Sequence, residues 1–435
     1  MNLQALHDRD IDTARPLDGP TSSLRKKFKI ALLGYRSDPF VGGQGIYLYY
    51  LSRALADLGH EVHVYSGQPY PQLDARIKLI PVPGLNLYAE PRPFRALRWH
   101  HLRSFSDLCE WWSKISGTFA EPYVFGRRVK KMLAHQNYDV IHDNQSLCSA
   151  MIDLQRAGAL VVSTIHHPVH RDRDIALQSE KRAAMRYFIR RWYSFIAMQE
   201  KTARKLRHIV TVSENSRRDI AHYFHLSEKC IEVIYNGVDT ELFKPLRDVQ
   251  RVPFRLMTTT SSDHPLKGLK NLLHALRLLR EKYPSASLQI VGKLKPNGDC
   301  DTFIREHGLT DAVECVANIA NHQLCEHYNR AHVFVCPSLY EGFGLPLAEA
   351  MACATACVCT DGGALPEVAG AAALIARADS ADDLAQKIAL IFDDESRCRD
   401  LELRSRERML RVFSWSGVAA QLSAYYERIG ADANR

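Results

Sequence analysis

Ser338-Leu-Tyr-Glu-Gly-Phe-Gly-Leu-Pro-Leu-Ala-Glu-Ala-Met351 holds two carboxylates, Glu341 and Glu349, with seven residues and a glycine-bearing turn between them. The apolar run Val333-Phe-Val-Cys-Pro337 just ahead of it reads as a buried strand. Pro346 suits the first position of a helix, where its missing N–H would be unpaired in any case. Strand, glycine turn and helix start make the layout of a phosphate site. Amide N–H groups point out of such a turn, and the helix dipole favours an anion there. Carboxylates beside an anion need a different partner, and sugar hydroxyls can donate to them. Phosphate on amides and hydroxyls on carboxylates together point to a nucleotide-sugar. The plain alternative is an ordinary strand–turn–helix with two solvated glutamates. The concurrence of Glu, Gly-Phe-Gly, Pro and a second Glu speaks against it.

Around this stretch the chain alternates strands and helices. In the second half, Phe254-Arg-Leu-Met-Thr258, Ser287-Leu-Gln-Ile-Val-Gly292, Ala312 to Cys315, Val333 to Cys336 and Ala356 to Cys359 read as strands, and Gly268 to Glu281 as a helix. In the first half, Phe28-Lys-Ile-Ala-Leu-Leu-Gly34 reads as a strand, followed by Gly42-Gly-Gln-Gly45, a helix from Ile46 to Leu58 and a strand from Val62. Asp139 to His142, Leu160 to Thr164, His208 to Val212 and Ile231 to Ile234 continue the series. Alternation of this kind predicts an α/β chain of two doubly wound, Rossmann-like domains with a ligand cleft between them. The expected divisions are a polar N-terminal extension over 1–27, a first domain over 28–246, a second over 252–412 and a terminal helical segment over 413–435. The glycines after the first strand do not spell G-x-G-x-x-G, so a nicotinamide dinucleotide is not implied.

Bulk properties narrow the class. The chain has 435 residues, 46% hydrophobic and 24% charged, so it is globular and long enough for two or three domains. No run approaches the roughly 20 apolar residues of a membrane-spanning helix, and the polar start carries no secretory signal, so a cytoplasmic protein is expected. Eleven cysteines without C-x-x-C pairs fit a reducing compartment. Net charge is +8, but residues 1–251 carry 37 Lys+Arg against 26 Asp+Glu, whereas residues 252–412 carry 18 against 21. The first half should therefore face any anionic partner. No base-reading or stacking motif accompanies the charge, so nucleic acid is not expected.

The Glu341–Glu349 stretch resembles the Glu-x7-Glu motif of retaining glycosyltransferases of family 4, which have the GT-B fold. The resemblance spans about residues 28–430, is looser between 66 and 160, and implies that the terminal helix over 413–435 crosses back onto the first domain. It implies that Glu349 holds the nucleotide ribose. Glu341 and the amides of Gly342, Phe343, Gly344 and Leu345 would face the donor sugar and diphosphate. The turn at Gly42 and Gly43 would be the first glycine loop, under the diphosphate. Lys267, in Asp263-His-Pro-Leu-Lys-Gly-Leu269, matches the family's Lys-Gly pair; a fixed ammonium there would neutralise charge as the sugar bond breaks. The family's Arg five positions earlier is Ser262 here, leaving His264, Lys293 or hydroxyls and amides to share the clamp. His166 matches a histidine that reaches the donor sugar, with His167 adjacent as a rival. Gly292 and Lys293 end a strand and are expected beside the nucleotide. Glu200 matches a family glutamate and reads as structural.

The expected activity is a retaining transfer of a sugar from a UDP- or GDP-linked donor to a hydroxyl acceptor, anionic or lipid-linked. No Asp-x-Asp pair stands at a strand end with a metal role, and Lys267 with the helix start would take over from a divalent cation, so neither metal nor cofactor is expected. Rival readings are a sugar-nucleotide epimerase-type or phosphorylase-like enzyme, and a non-catalytic binding protein that keeps the fold. Between Asn86 and Met132, Trp99, Trp111, Trp112, Phe94, Phe105 and Phe119 are interleaved with Arg92, Arg95, Arg98, Arg103, Arg127 and Arg128. Such a mixture suits peripheral contact with an anionic membrane, an acceptor groove or a buried helix pair. Glu180 to Arg218 is a second basic run.

Overall fold

The computed structural model of the chain describes residues 26–38, 43–87, 90, 92, 97–260 and 265–433. Most of the expected N-terminal extension, and Gly42, Phe94, Arg95, Ser262 and His264, lie outside the described residues. The described residues divide into two compact units, one formed by residues 26–234 together with those from 418, the other by residues 235–417.

The first unit is built on seven strands: β1 (Lys29–Gly34), β2 (Glu61–Ser66), β3 (Lys78–Pro81), β4 (Val140–Asn144), β5 (Val161–Ile165), β6 (His208–Thr211) and β7 (Ile231–Val233). Their order is β3-β2-β1-β4-β5-β6-β7, with every pair parallel. β4 and β5 are buried along their whole length, as expected of a parallel sheet covered by helices on both faces. The second unit repeats the plan with β8 (Arg255–Thr260), β9 (Ser287–Gly292), β10 (Val313–Val316), β11 (Val333–Cys336), β12 (Ala356–Thr360) and β13 (Leu374–Ala376). Their order is β10-β9-β8-β11-β12-β13, again all parallel. Leu272, Leu273 and Leu276 of the helix Leu269–Lys282 pack against Ile290, Val333 and Val335 in its core.

In both sheets the chain reverses its direction of winding at one place, between β1 and β4 and between β8 and β11. Ligands of doubly wound sheets bind outside the carboxyl ends of the strands at such a switch point. The loops after β1, β4, β8 and β11 therefore lie at the two switch points.

Two boundaries differ from the sequence expectation. Residues 235–246 belong to the second unit, not the first. Val238 N–H donates to Phe413 O at 2.7 Å, Leu246 N–H to Asn329 Oδ1 at 2.8 Å, and Asn329 Nδ2 to Lys244 O at 3.0 Å. The terminal helix runs Trp415–Ala433, and from Val418 onward it packs into the first unit. Tyr426 hydrogen-bonds His142 of β4, Ser423 Oγ lies 3.0 Å from His60 Nε2, and Arg428 pairs with Glu232 at 2.7 Å.

Candidate active site

In the second unit, the loops that leave β8 and β11 are locked together. β8 is followed by the short turn Pro265–Lys267 and then by Gly268, which caps the helix Leu269–Lys282. Gly268 has φ +62°, and a Cβ there would stand 1.9 Å from Pro337 O, in the loop after β11. Only glycine meets both demands. Leu339 N–H donates to Leu266 O at 2.8 Å across the same seam. This close approach brings Lys267 to Glu341, with Nζ 2.7 Å from Oε1. Ser338 Oγ donates to the same carboxylate oxygen at 2.8 Å. A third loop, after β12, holds the backbone: Ala364 N–H donates to Glu341 O at 2.9 Å, and Thr360 Oγ1 donates to Ser338 O.

Beyond Glu341 the chain turns into the helix Leu345–Ala352, with Pro346 in its first turn as the sequence suggests. Its N-cap, Gly344, sits at φ +95°, where a Cβ would meet Leu365 at 2.6 Å. Phe343 is buried and packs edge-on against Phe413, which leaves its backbone, not its ring, for a ligand. Glu349 stands one turn further along the helix. Tyr328 Oη, on the fully buried Tyr328, donates to Glu349 Oε2 at 2.9 Å. Burial pushes the Glu349 carboxyl up to about 7, against a smaller opposite effect of the Tyr328 hydrogen bond. A carboxylate held there with one donor has lone pairs left for a pair of hydroxyls. Gly292 ends β9 opposite Thr260 of β8, and Lys293 after it is exposed.

In the first unit, His166 follows β5 directly. Its Nε2 lies 2.7 Å from Asn144 Oδ1, at the end of β4. Asn144 Nδ2 in turn donates to Gln44 O at 3.3 Å, which fixes the amide orientation and makes Nε2 the protonated nitrogen of His166. Burial drives the His166 pKa down to about 3, so the ring is neutral and Nδ1 carries a lone pair. Tyr47 packs edge-on against the ring at 4.7 Å. The backbone is held as well: His166 N–H donates to Gln145 Oε1 at 2.7 Å and Ser216 Oγ to His166 O at 3.1 Å. His167 differs, pairing with Asp172 at 3.1 Å nearer the surface. Gly43 opens the helix Gly43–Asp57 with nothing within 4 Å of where a side chain would begin. Glu200 is committed to His170 at 2.9 Å and Arg204 at 3.3 Å, a structural role.

Asn144 and Gln145 were missed as site residues from the sequence. Their position at the carboxyl end of the switch-point strand was the signal. Ser338 and Tyr328 carry no motif of their own. Among the described residues no group of three or more His, Cys, Asp or Glu side chains is placed to hold a metal ion.

Residues 254–408 match the model for glycosyl transferases group 1, and residues 41–242 match the model for glycosyltransferase family 4. The MMP α-(1→4)-mannosyltransferase of Mycolicibacterium hassiacum is 42% identical over 411 residues, covering 92% of this chain and 98% of that protein. The chain belongs to glycosyltransferase family 4. It is thus a glycosyltransferase, and the epimerase, phosphorylase and binding-protein readings are not favoured. Solved glycosyltransferase structures share the family's GT-B fold with it. A sucrose-phosphate synthase from Thermosynechococcus elongatus superimposes with a TM-score of 0.70 at 22% identity, covering 94% of this chain and 100% of that one. The Anabaena protein HepE, in complex with UDP, gives 0.66 at 16% identity, covering 92% and 100%.

Proposed function

We propose that this glycosyltransferase moves a hexosyl group, mannosyl foremost, from a nucleoside diphosphate sugar to a hydroxyl of a glycan or glycolipid acceptor, with retention and an α-(1→4) linkage. The observation that carries this reading is the 42% identity to a mannosyltransferase over 98% of that protein's length. The second unit is the donor side. Glu349 takes the ribose hydroxyls, and the amides at Gly342 to Leu345 with the start of the helix Leu345–Ala352 take the diphosphate. Lys267 supplies the fixed positive charge as the sugar–phosphate bond breaks, and Glu341, itself anchored by Ser338, holds its ammonium in place. Gly292 and Lys293 border the nucleotide. In the first unit, the neutral ring of His166 accepts from a hydroxyl through Nδ1. The leaving diphosphate oxygen takes the acceptor proton on the face from which it departs, so no protein nucleophile is required. Lys267 stands where a divalent cation would otherwise act, which supports metal-independent transfer.

The first unit also carries a surface suited to peripheral contact with an anionic membrane from the cytoplasmic side. Trp99, Phe105 and Trp112 are 88%, 60% and 63% exposed. The helix Ala183–Trp192 buries none of its residues and exposes Met185, Tyr187 and Phe188 beside its arginines. Apolar rings among arginines suit a lipid headgroup layer. No described helix is long and apolar enough to cross a membrane.

The deciding experiment incubates the purified chain with GDP-mannose, UDP-glucose and other nucleotide-sugars, with methyl α-mannoside or methyl α-glucoside as acceptor. An α-linked disaccharide identified by mass and anomeric coupling is expected. Product of inverted configuration, or no transfer from any donor, would overturn the reading.

A further inference from the structure

The carboxyl ends of β1, β2 and β3 border a hollow in the first unit that the donor chemistry does not use. Tyr35 follows β1, Gln68 lies just past β2, Val82 follows β3, and Glu121 opens the helix Glu121–Leu133. The hollow has a volume of about 20 Å³, the room of one water molecule or one hydroxyl group. Part of its wall is charged and satisfied. Arg128 Nη2 reaches Asp107 Oδ1 at 2.6 Å and Glu110 Oε2 at 2.8 Å, and Leu85 N–H donates to Glu110 Oε1 at 3.0 Å.

Another part is not satisfied. Gln68 Oε1 and Glu121 Oε2 are buried, and among the described residues no group donates a hydrogen bond to either. Arg36 Nη1 stands 3.9 Å from Glu121 Oε2, beyond hydrogen-bond reach. Burial pushes the Glu121 carboxyl up to about 7. Buried acceptors without donors are uncommon because each loses its hydration without return. The two residues that carry them both line the one hydroxyl-sized hollow, and a ligand that brings hydrogens would answer both. A guanidinium is too large for it. Arg36 and Lys114 act on Glu121 as positive charges and Glu110 as a negative one, and the three N–H donors of an ammonium exceed the two acceptors here. A neutral hydroxyl fits, and it suits either orientation of the Gln68 amide because it both donates and accepts.

We propose that this hollow seats a non-reacting hydroxyl of the acceptor sugar, which donates to Glu121 with Gln68 as its second partner. Glu121 and Gln68 are then specificity-determining residues for the acceptor. The inference rests on the proposed reading of a hydroxyl-bearing sugar as acceptor.

The test measures binding of methyl α-mannoside, methyl α-glucoside and their monodeoxy analogues to the full chain by saturation-transfer NMR. No donor is present, so the result does not depend on turnover. Release of GDP from GDP-mannose into water is measured separately and tests the donor reading alone. Glu121→Gln and Gln68→Leu should each weaken glycoside binding about tenfold or more and leave GDP release within about twofold. One deoxy analogue should bind wild type as weakly as the parent glycoside binds the variants, and removing that hydroxyl should cost the variants nothing further. Glu121→Gln keeps the shape of the side chain, and an undiminished melting temperature would show that the fold is intact. Unchanged binding in both variants, or no glycoside bound by the wild type, would overturn the proposal and leave the hollow as the seat of a structural water.

Discussion

Tyr328 donates its buried hydroxyl to Glu349 at 2.9 Å, so the carboxylate read from the sequence as a ribose ligand is anchored from inside the core. The contact fixes the carboxyl and relieves only part of the cost of ionising it there. Its pKa lies near 7, above the ordinary value for a glutamate, and burial is the main cause.

A raised carboxyl pKa has a defined sign for stability. Between the ordinary value and about 7 the folded chain holds more protons on Glu349 than the unfolded chain does. Stability from this residue is therefore full below that window and falls as pH rises through it. Glu349→Gln should raise the melting temperature by a few degrees at pH 8 and change it little at pH 4.5, as read by calorimetry across pH. Glu121 is raised to about 7 as well, so the variant should flatten the pH dependence without abolishing it. The same variant should weaken binding of the nucleoside diphosphate at every pH. Equal melting shifts at pH 4.5 and pH 8 would show that Glu349 does not titrate in this window.

Lys267→Ala removes the only protein cation that contacts Glu341 among the described ion pairs. If Lys267 stabilises the departing diphosphate, turnover should fall by about 100-fold or more, with a much smaller change in the dissociation constant for the nucleoside diphosphate. A loss confined to affinity would place the lysine in ground-state binding alone.

Gly268→Ala should destabilise the second unit, since the new Cβ would be driven against Pro337 O in a left-handed backbone. A cost of about 1–3 kcal/mol follows from strain of this type, or several degrees in melting temperature. Turnover should fall further than stability alone explains, because the seam that places Lys267 beside Glu341 opens. Full activity at a temperature where the variant is folded would contradict that second effect.

Asn144→Ala should act through His166, the ring that Asn144 orients. A drop in turnover of about tenfold is expected, and the double variant with His166→Ala should be no worse than His166→Ala alone. Additive losses would mean that the two side chains work independently.

Much of the sheet architecture was legible because buried parallel strands are continuous apolar runs, and residues 30–33 or Val333–Cys336 can be little else. The strand Lys78–Pro81 was missed because it is an edge strand, half exposed, with an exposed lysine and proline at its ends. The strand Leu374–Ala376 was missed because three residues carry no period. Glu341, Glu349 and Lys267 could be found because motifs with glycine and proline mark their loops. Asn144, Gln145, Ser338 and Tyr328 could not. Their importance lies in which strand ends, and for Tyr328 which helix, the topology sets beside the motif residues, and that information is not local. The domain boundary moved for a similar reason: the turn near Asn236 closes the first series of strands, yet Val238 and Leu246 find their partners at Phe413 and Asn329.

The helix segment from Val418 onward completes a unit whose other residues precede 235. A ribosome therefore makes the entire second unit before it delivers the piece that covers His60 and His142 of the first. At about 5–20 residues per second the first unit waits on the order of ten to forty seconds with that face bare. The second unit, whose described residues are continuous in sequence, has no such wait, so the unit synthesised last is the one able to finish folding first.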